Sequence, residues 1–138
     1  MEQNFENHRR FSKIYHFTIV PISLIVWVYF IYKSVVDPSE LNIVTCLIFF
    51  LLLLSSAEAR ITALKAQDRS IVNEVRLRYL LLTKNNLPDN LRRNQIIALR
   101  FAPDTELLIL VEKSVAEELS ATEIKKNIKS WKADNHRV

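Results

Sequence analysis

The sequence predicts an all-α membrane protein: an antiparallel two-helix transmembrane hairpin whose long second helix extends into a small cytoplasmic helical domain. Three observations carry that prediction. Two apolar runs stand close together, an unbroken helical pattern leaves the second of them, and glycine is absent from all 138 residues. Average usage of about 7% would supply roughly ten glycines. Tight hairpin turns and phosphate-cradling loops depend on that residue, so most β architectures and the common nucleotide-binding motifs are excluded.

Residues 14–32 carry no formal charge, and residues 41–57 include the run Ile48-Phe49-Phe50-Leu51-Leu52-Leu53-Leu54. A spanning helix needs roughly 17–25 apolar residues, and both runs reach that length. The overall values of 49% hydrophobic, 25% charged and mean hydropathy +0.06 hide a split. Residues 14–57 hold three formal charges (Lys33, Asp37, Glu40), whereas the 81 residues from 58 to 138 hold 26. A soluble core hairpin is the competing reading, but so small a charged remainder cannot wrap two helices that are apolar on every side.

Between the runs, Asp37 suits an N-cap, Pro38 the first helical position and Glu40 the third position of a capping-box-like start. The loop is therefore short and the spans are antiparallel neighbours. Trp27, Tyr29 and Tyr32 gather near it, as expected where amphipathic rings meet headgroups. The loop has one cation, Lys33, against Arg9, Arg10 and Lys13 before the first span and Arg60, Lys65 and Arg69 after the second. The positive-inside rule then places both termini in the cytoplasm. No small-x-small cleavage site follows the first run, so it is expected to stay in the membrane. The single cysteine, Cys46, lies inside the second span and reads as a small packing residue.

The pattern divides the chain into an N-terminal arm (1–13), the hairpin (14–57, spans about 14–32 and 41–57) and a cytoplasmic helical domain (58–138). Residues 57–84 contain no proline and many helix formers, so the second span is expected to continue as one helix from about Leu41 to Lys84. Its apolar stripe is Ile61, Leu64, Ile71, Val75, Tyr79 and Leu82. Asp68 interrupts that stripe, where a carboxylate must find a partner or stay wet; Lys65 or an arginine of a neighbouring helix could supply one. Asn85-Asn86-Leu87-Pro88 ends the helix, asparagine tolerating the left-handed cap that glycine would otherwise take.

Three shorter helices are expected next. Residues 91–102 offer Leu91, Ile96, Leu99 and Phe101 to a core and leave Arg92, Arg93 and Arg100 outside it. Residues 105–119 follow, with Asp104 as N-cap and Leu108, Val111, Val115 and Leu119 buried. Ser120-Ala121-Thr122-Glu123 is a full capping box. The last helix puts Ile124, Ile128 and a buried Trp131 on one side and Lys125, Lys126, Lys129 and Lys132 on the other. Such a lysine face is either solvated or meets anionic headgroups or nucleic acid.

Little else points to chemistry. His8, His16 and His136 lack zinc-ligand spacing and companion cysteines, so neither a metal site nor a cofactor is expected. No nucleophile elbow occurs, Glu117 and Glu118 do not face each other on a helix, and neither span has a charge at mid-depth to mark a transport path. Nucleic acid is not the expected partner, because the net charge after Ala57 is only +4 (fifteen Lys and Arg, eleven Asp and Glu) with acids scattered among the bases.

Four blocks together resemble one family. They are Gln3-Asn4, Asn7-His8 and Tyr15-His16 in the arm; Ala63-Leu64-Lys65-Ala66-Gln67-Asp68-Arg69; Gln95-Ile-Ile-Ala-Leu-Arg-Phe-Ala102; and Glu123-Ile-Lys-Lys, Trp131-Lys-Ala-Asp134 and Arg137-Val138 in the tail. The family is one of small inner-membrane proteins of Bacteroidota-type bacteria, known as a domain of unknown function. The resemblance implies two spans and a helical cytoplasmic domain, carries no activity, and makes Gln67-Asp68-Arg69, Arg100 and the tail 131–138 the distinctive surface. The expected function is that of a non-catalytic interaction protein, an accessory subunit or scaffold. Its partners would be membrane lipids and either another membrane protein or a second copy. The candidate interaction surface is Lys65, Asp68, Arg69, Arg100, Lys125, Lys126, Lys129, Trp131 and Lys132. The alternative is an anionic-lipid or nucleic-acid-binding module that uses the basic C-terminal helix.

Overall fold

The computed structural model describes residues 4–5 and 12–133. Among them every regular element is helical. A π-helical turn, Tyr15–Ile19, leads into α1 (Val20–Val36); α2 (Glu40–Thr83), α3 (Arg93–Leu99), α4 (Asp104–Ala116) and α5 (Ala121–Asn127) follow. The chain forms two compact units. One comprises residues 12–64, and the other residues 65–133 together with Asn4 and Phe5.

The first unit is a helical hairpin. Pro21 stands in the first turn of α1. It has no N–H to donate, and its ring crowds the carbonyl four residues back. The chain widens just before it, where the Val20 N–H reaches back to the Tyr15 carbonyl. Three pairings set the register of the hairpin. Trp27 stacks with Phe50 at 5.4 Å between ring centroids, Phe30 with Phe49 at 6.0 Å, and the Arg60 guanidinium lies 5.9 Å from the centre of the Tyr15 ring. As the position on α1 falls, that on α2 rises, the signature of antiparallel packing. Both helices, Tyr15–Val36 and Glu40–Thr83, are long and apolar enough to cross a membrane. No residue in the most apolar stretch of the first is buried, and Phe17, Ile25 and Leu51 are 73%, 68% and 59% exposed.

The turn differs from the sequence expectation. Ser39, not Asp37, caps α2: its Oγ accepts the Asn42 N–H at 3.3 Å and its carbonyl accepts the Ile43 N–H. Asp37 ends α1 instead. Its carbonyl and carboxylate both accept the Asn42 side-chain amide, at 2.8 and 3.3 Å, so the cap moves two residues on.

The second unit packs the C-terminal part of α2 with α3, α4 and α5 around Val75, Leu99, Phe101, Leu107, Val111 and Ile124, all fully buried. Within the α2 stripe Ile71 and Val75 are buried and Tyr79 half-buried, whereas Ile61 and Leu82 are exposed, so the expected stripe is longer than the packed one. The left-handed residue that ends α2 is Lys84 (φ 62°), not an asparagine, and a second one, Glu118 (φ 48°), ends α4.

Four further expectations are corrected. The third helix is shorter than residues 91–102, and Arg100 is buried rather than outside. Asp104 is the first residue of α4 and does not cap it; Pro103 precedes the helix and its carbonyl accepts the Glu106 and Leu107 N–H groups. The buried stripe of α4 is Leu107, Leu110, Val111 and Ser114, with Leu108 and Val115 only half-buried, so the face turned to the core is centred about one residue earlier than expected. Finally, α5 stops at Asn127. Ile128 turns to extended backbone, and the Glu106 carboxylate accepts the Lys129 and Ser130 N–H groups, both at 2.9 Å. Lys129, Trp131 and Lys132 therefore lie beyond the helix, and Trp131 is half-buried. The capping box at Ser120 forms as expected: its Oγ accepts the Glu123 N–H at 3.3 Å, and Glu123 accepts the Ser120 N–H at 2.7 Å.

Candidate functional site: a basic groove beside α2

Lys65, Arg69, Asn73 and Arg76 follow one another at steps of four, four and three along α2, which places them on a single face. Arg93, in the first turn of α3, closes the other side. Together with Val72, Leu91 and Ile96 they line a groove of about 640 Å³. The floor is apolar and the walls are cationic. No carboxylate is among the lining residues. Fixed α-helical spacing and an α3 held by its own core contacts build this arrangement in advance of any ligand.

Arg93 is fastened from below. Its Nη2 donates to the Lys65 carbonyl at 3.3 Å and lies 4.0 Å from the Asp68 carboxylate. The carboxylate that breaks the apolar stripe of α2 thus meets an arginine of this chain, not Lys65. At that distance, with both groups substantially exposed, the pair orients Arg93 more than it stabilises the fold.

Of the residues expected to form the interaction surface, the structure brings Lys65, Asp68 and Arg69 together here. Lys125, Lys126, Lys129 and Trp131 line a second hollow of about 470 Å³ with Asn4, Phe5 and Ile128. Two of its lysines rest on rings: Lys125 Nζ is 5.7 Å from the centre of Phe101 and Lys126 Nζ is 5.8 Å from that of Phe5. Lys132 points elsewhere, with Nζ 3.7 Å from Glu74. Arg100 joins neither hollow; its guanidinium lies 4.3 Å from the centre of the Phe101 ring, inside the domain. The tail residues Asp134, His136, Arg137 and Val138 and the arm residues His8, Arg9 and Arg10 lie outside the described residues.

Sequence reasoning missed Arg76, Asn73 and Arg93 as site residues. The first two were legible as continuations of the Lys65–Arg69 spacing. Arg93 was not, because only the fold brings α3 against that face. Among the described residues no group of three or more metal-ligating side chains gathers.

The chain matches the model of a family of unknown function, DUF6526, over residues 1–138, and it belongs to that family. No curated protein and no solved structure matches it.

Proposed function

We propose that this member of DUF6526 is a membrane-anchored interaction protein. Its apolar hairpin sits in a bilayer and its helical unit offers a docking surface to another membrane protein or to a second copy. One observation carries the reading: both hairpin helices expose large apolar side chains, including Phe17, Ile25, Leu47 and Leu51. A soluble core helix would bury them. Left in water, so continuous an apolar surface exceeds what soluble monomers tolerate, and each such side chain forgoes about 1.5–3 kcal/mol of burial. A bilayer removes that cost.

The orientation follows from the distribution of basic residues. Lys33 alone is basic near the turn, whereas Arg60, Lys65 and Arg69 follow the second apolar stretch, so the turn faces away from the cytoplasm and the helical unit lies within it. A bacterial inner membrane is the proposed location. The reading assigns the chain no catalytic role.

The test has two parts. In a Cys46→Ser background, Val35→Cys near the turn should react with an impermeant maleimide in intact cells, and Lys129→Cys only after permeabilisation. The opposite pattern, or release of the chain by alkaline carbonate, overturns the anchoring. Crosslinking through Lys65 in native membranes should then capture a discrete partner or a dimer; a lone monomer throughout overturns the interaction reading. The basic C-terminal helix has less support as a binding face, since α5 carries only Lys125 and Lys126 of its four lysines.

A further inference from the structure

We propose that the groove formed by Lys65, Arg69, Arg76 and Arg93 binds the phosphate headgroup of an anionic phospholipid. The inference deepens the membrane-anchored reading and rests on it for the source of the ligand. Three guanidinium groups and one ammonium line a hollow that contains no carboxylate. Guanidinium forks match phosphate oxygens bidentately, and an ammonium adds a point charge. The Asn73 amide supplies neutral donors to ester or glycerol oxygens. Val72, Leu91 and Ile96 give the floor an apolar character that suits the glycerol and upper acyl region of a lipid and has no use for a bare inorganic anion.

Asp68 lies 4.0 Å from Arg93 and offsets one charge; Asp89 lines an adjacent hollow with Arg76, outside the lining of the groove itself. The cluster also follows a proposed span directly in the sequence, Lys65 coming eight positions after Ala57. Basic residues just past a span attract anionic headgroups, and Lys65 and Arg69 are the groove cations nearest it in the sequence. Nucleic acid fits less well, because no aromatic ring lines the groove for a base to stack upon.

The test uses the full chain in neutral detergent, titrated with phosphatidylglycerol or phosphatidylcholine and read by native mass spectrometry. Wild type should retain phosphatidylglycerol in preference to phosphatidylcholine. The double variant Arg69→Gln/Arg76→Gln should bind it roughly 30-fold more weakly, about fivefold per cation removed near an anionic surface. Both arginines are exposed, so thermal unfolding should not change. Lys126→Gln/Lys129→Gln, outside the groove, should bind as wild type does. Equal affinity in wild type and the groove variant overturns the proposal, as does an equal loss in the two variants. Displacement of the lipid by matched concentrations of glycerol phosphate would reassign the site to a soluble phosphate, and tighter binding of a single-stranded oligonucleotide would reassign it to nucleic acid. If carbonate releases the wild-type chain from membranes, the anchoring fails separately, while the titration still reports on the groove.

Discussion

Arg78 donates to a single carboxylate oxygen of Asp104 through two nitrogens, Nε at 2.8 Å and Nη2 at 2.6 Å, and so joins α2 to the start of α4. The same guanidinium donates to the Ala102 carbonyl at 2.7 Å and to the Arg100 carbonyl at 3.4 Å. These are carbonyls at the end of α3, where no further helical turn can satisfy them. One side chain on α2 therefore holds both the end of α3 and the beginning of α4.

Replacing Arg78 with alanine should destabilise the full chain by about 2 kcal/mol, because part-buried carbonyls lose their donor along with the ion pair. Asp104→Asn should cost less than half as much, since the exposed carboxylate contributes a screened pair. Thermal unfolding in neutral detergent measures both; equal losses would show that the ion pair, not the carbonyl bonds, dominates.

Phe101→Ala should cost about 3–5 kcal/mol, the usual loss for an aromatic side chain taken from a closed core. Its ring centroid is 4.8 Å from that of Trp131. The fluorescence of Trp131, read in a Trp27→Phe background, should shift to the red in the variant as water reaches the indole.

Gln95→Ala should cost about 2 kcal/mol although Gln95 is polar. The buried amide accepts the Arg92 N–H and donates to the Leu119 carbonyl, both at 2.7 Å. The amide thus starts α3 and ties it to the connector ahead of α5. Gln95→Glu should be as damaging, since a carboxylate cannot donate to Leu119.

The Ser120 hydroxyl, aided by the Ser120 N–H and then Lys126, holds the Glu123 carboxyl below its ordinary value of 4.5. A carboxyl whose folded pKa is depressed contributes stability above its unfolded value, and that contribution disappears as pH falls through the folded one. The helix α5 should therefore weaken as pH drops below about 4.5. Ser120→Ala should reduce this acid sensitivity, comparing unfolding at neutral pH and near pH 3.

Lys84→Gly should stabilise the chain by about 0.5–1 kcal/mol, since a left-handed backbone strains every residue with a Cβ more than it does glycine. The gain is visible in the unfolding midpoint; a loss would mean that the Lys84 side chain makes a contact worth more than the strain.

How far the sequence disclosed this molecule depends on the kind of signal. The long second helix was legible from end to end, as residues 57–84 hold no breaker, and the Ser120–Glu123 capping box was legible because it is local. Arg78 was not. It lies seven residues after Ile71 and three after Val75, in phase with the buried stripe, but an arginine there reads as an interruption until its three carbonyl and carboxylate partners are in view. The last helix failed for a related reason. Lysines at helical spacing suggested continuation through Trp131, yet a carboxylate on α4, Glu106, captures the Lys129 and Ser130 N–H groups and ends the helix. No local propensity encodes so distant an acceptor. The basic groove was half visible: its α2 wall could be read from spacing, its α3 wall only from the fold.

The strap that follows α5 bears on how the protein is made. Lys132 donates its N–H to the Phe101 carbonyl at 2.8 Å, and Glu106 anchors the two residues at the strap's start. Translation delivers α2, with Ile71 and Val75 uncovered, well before it delivers this closing segment. A nascent chain that stalls before residue 128 would present its unfinished core to chaperones and proteases, and a finished one would not. The order of synthesis thus leaves this core uncovered until the strap has been made.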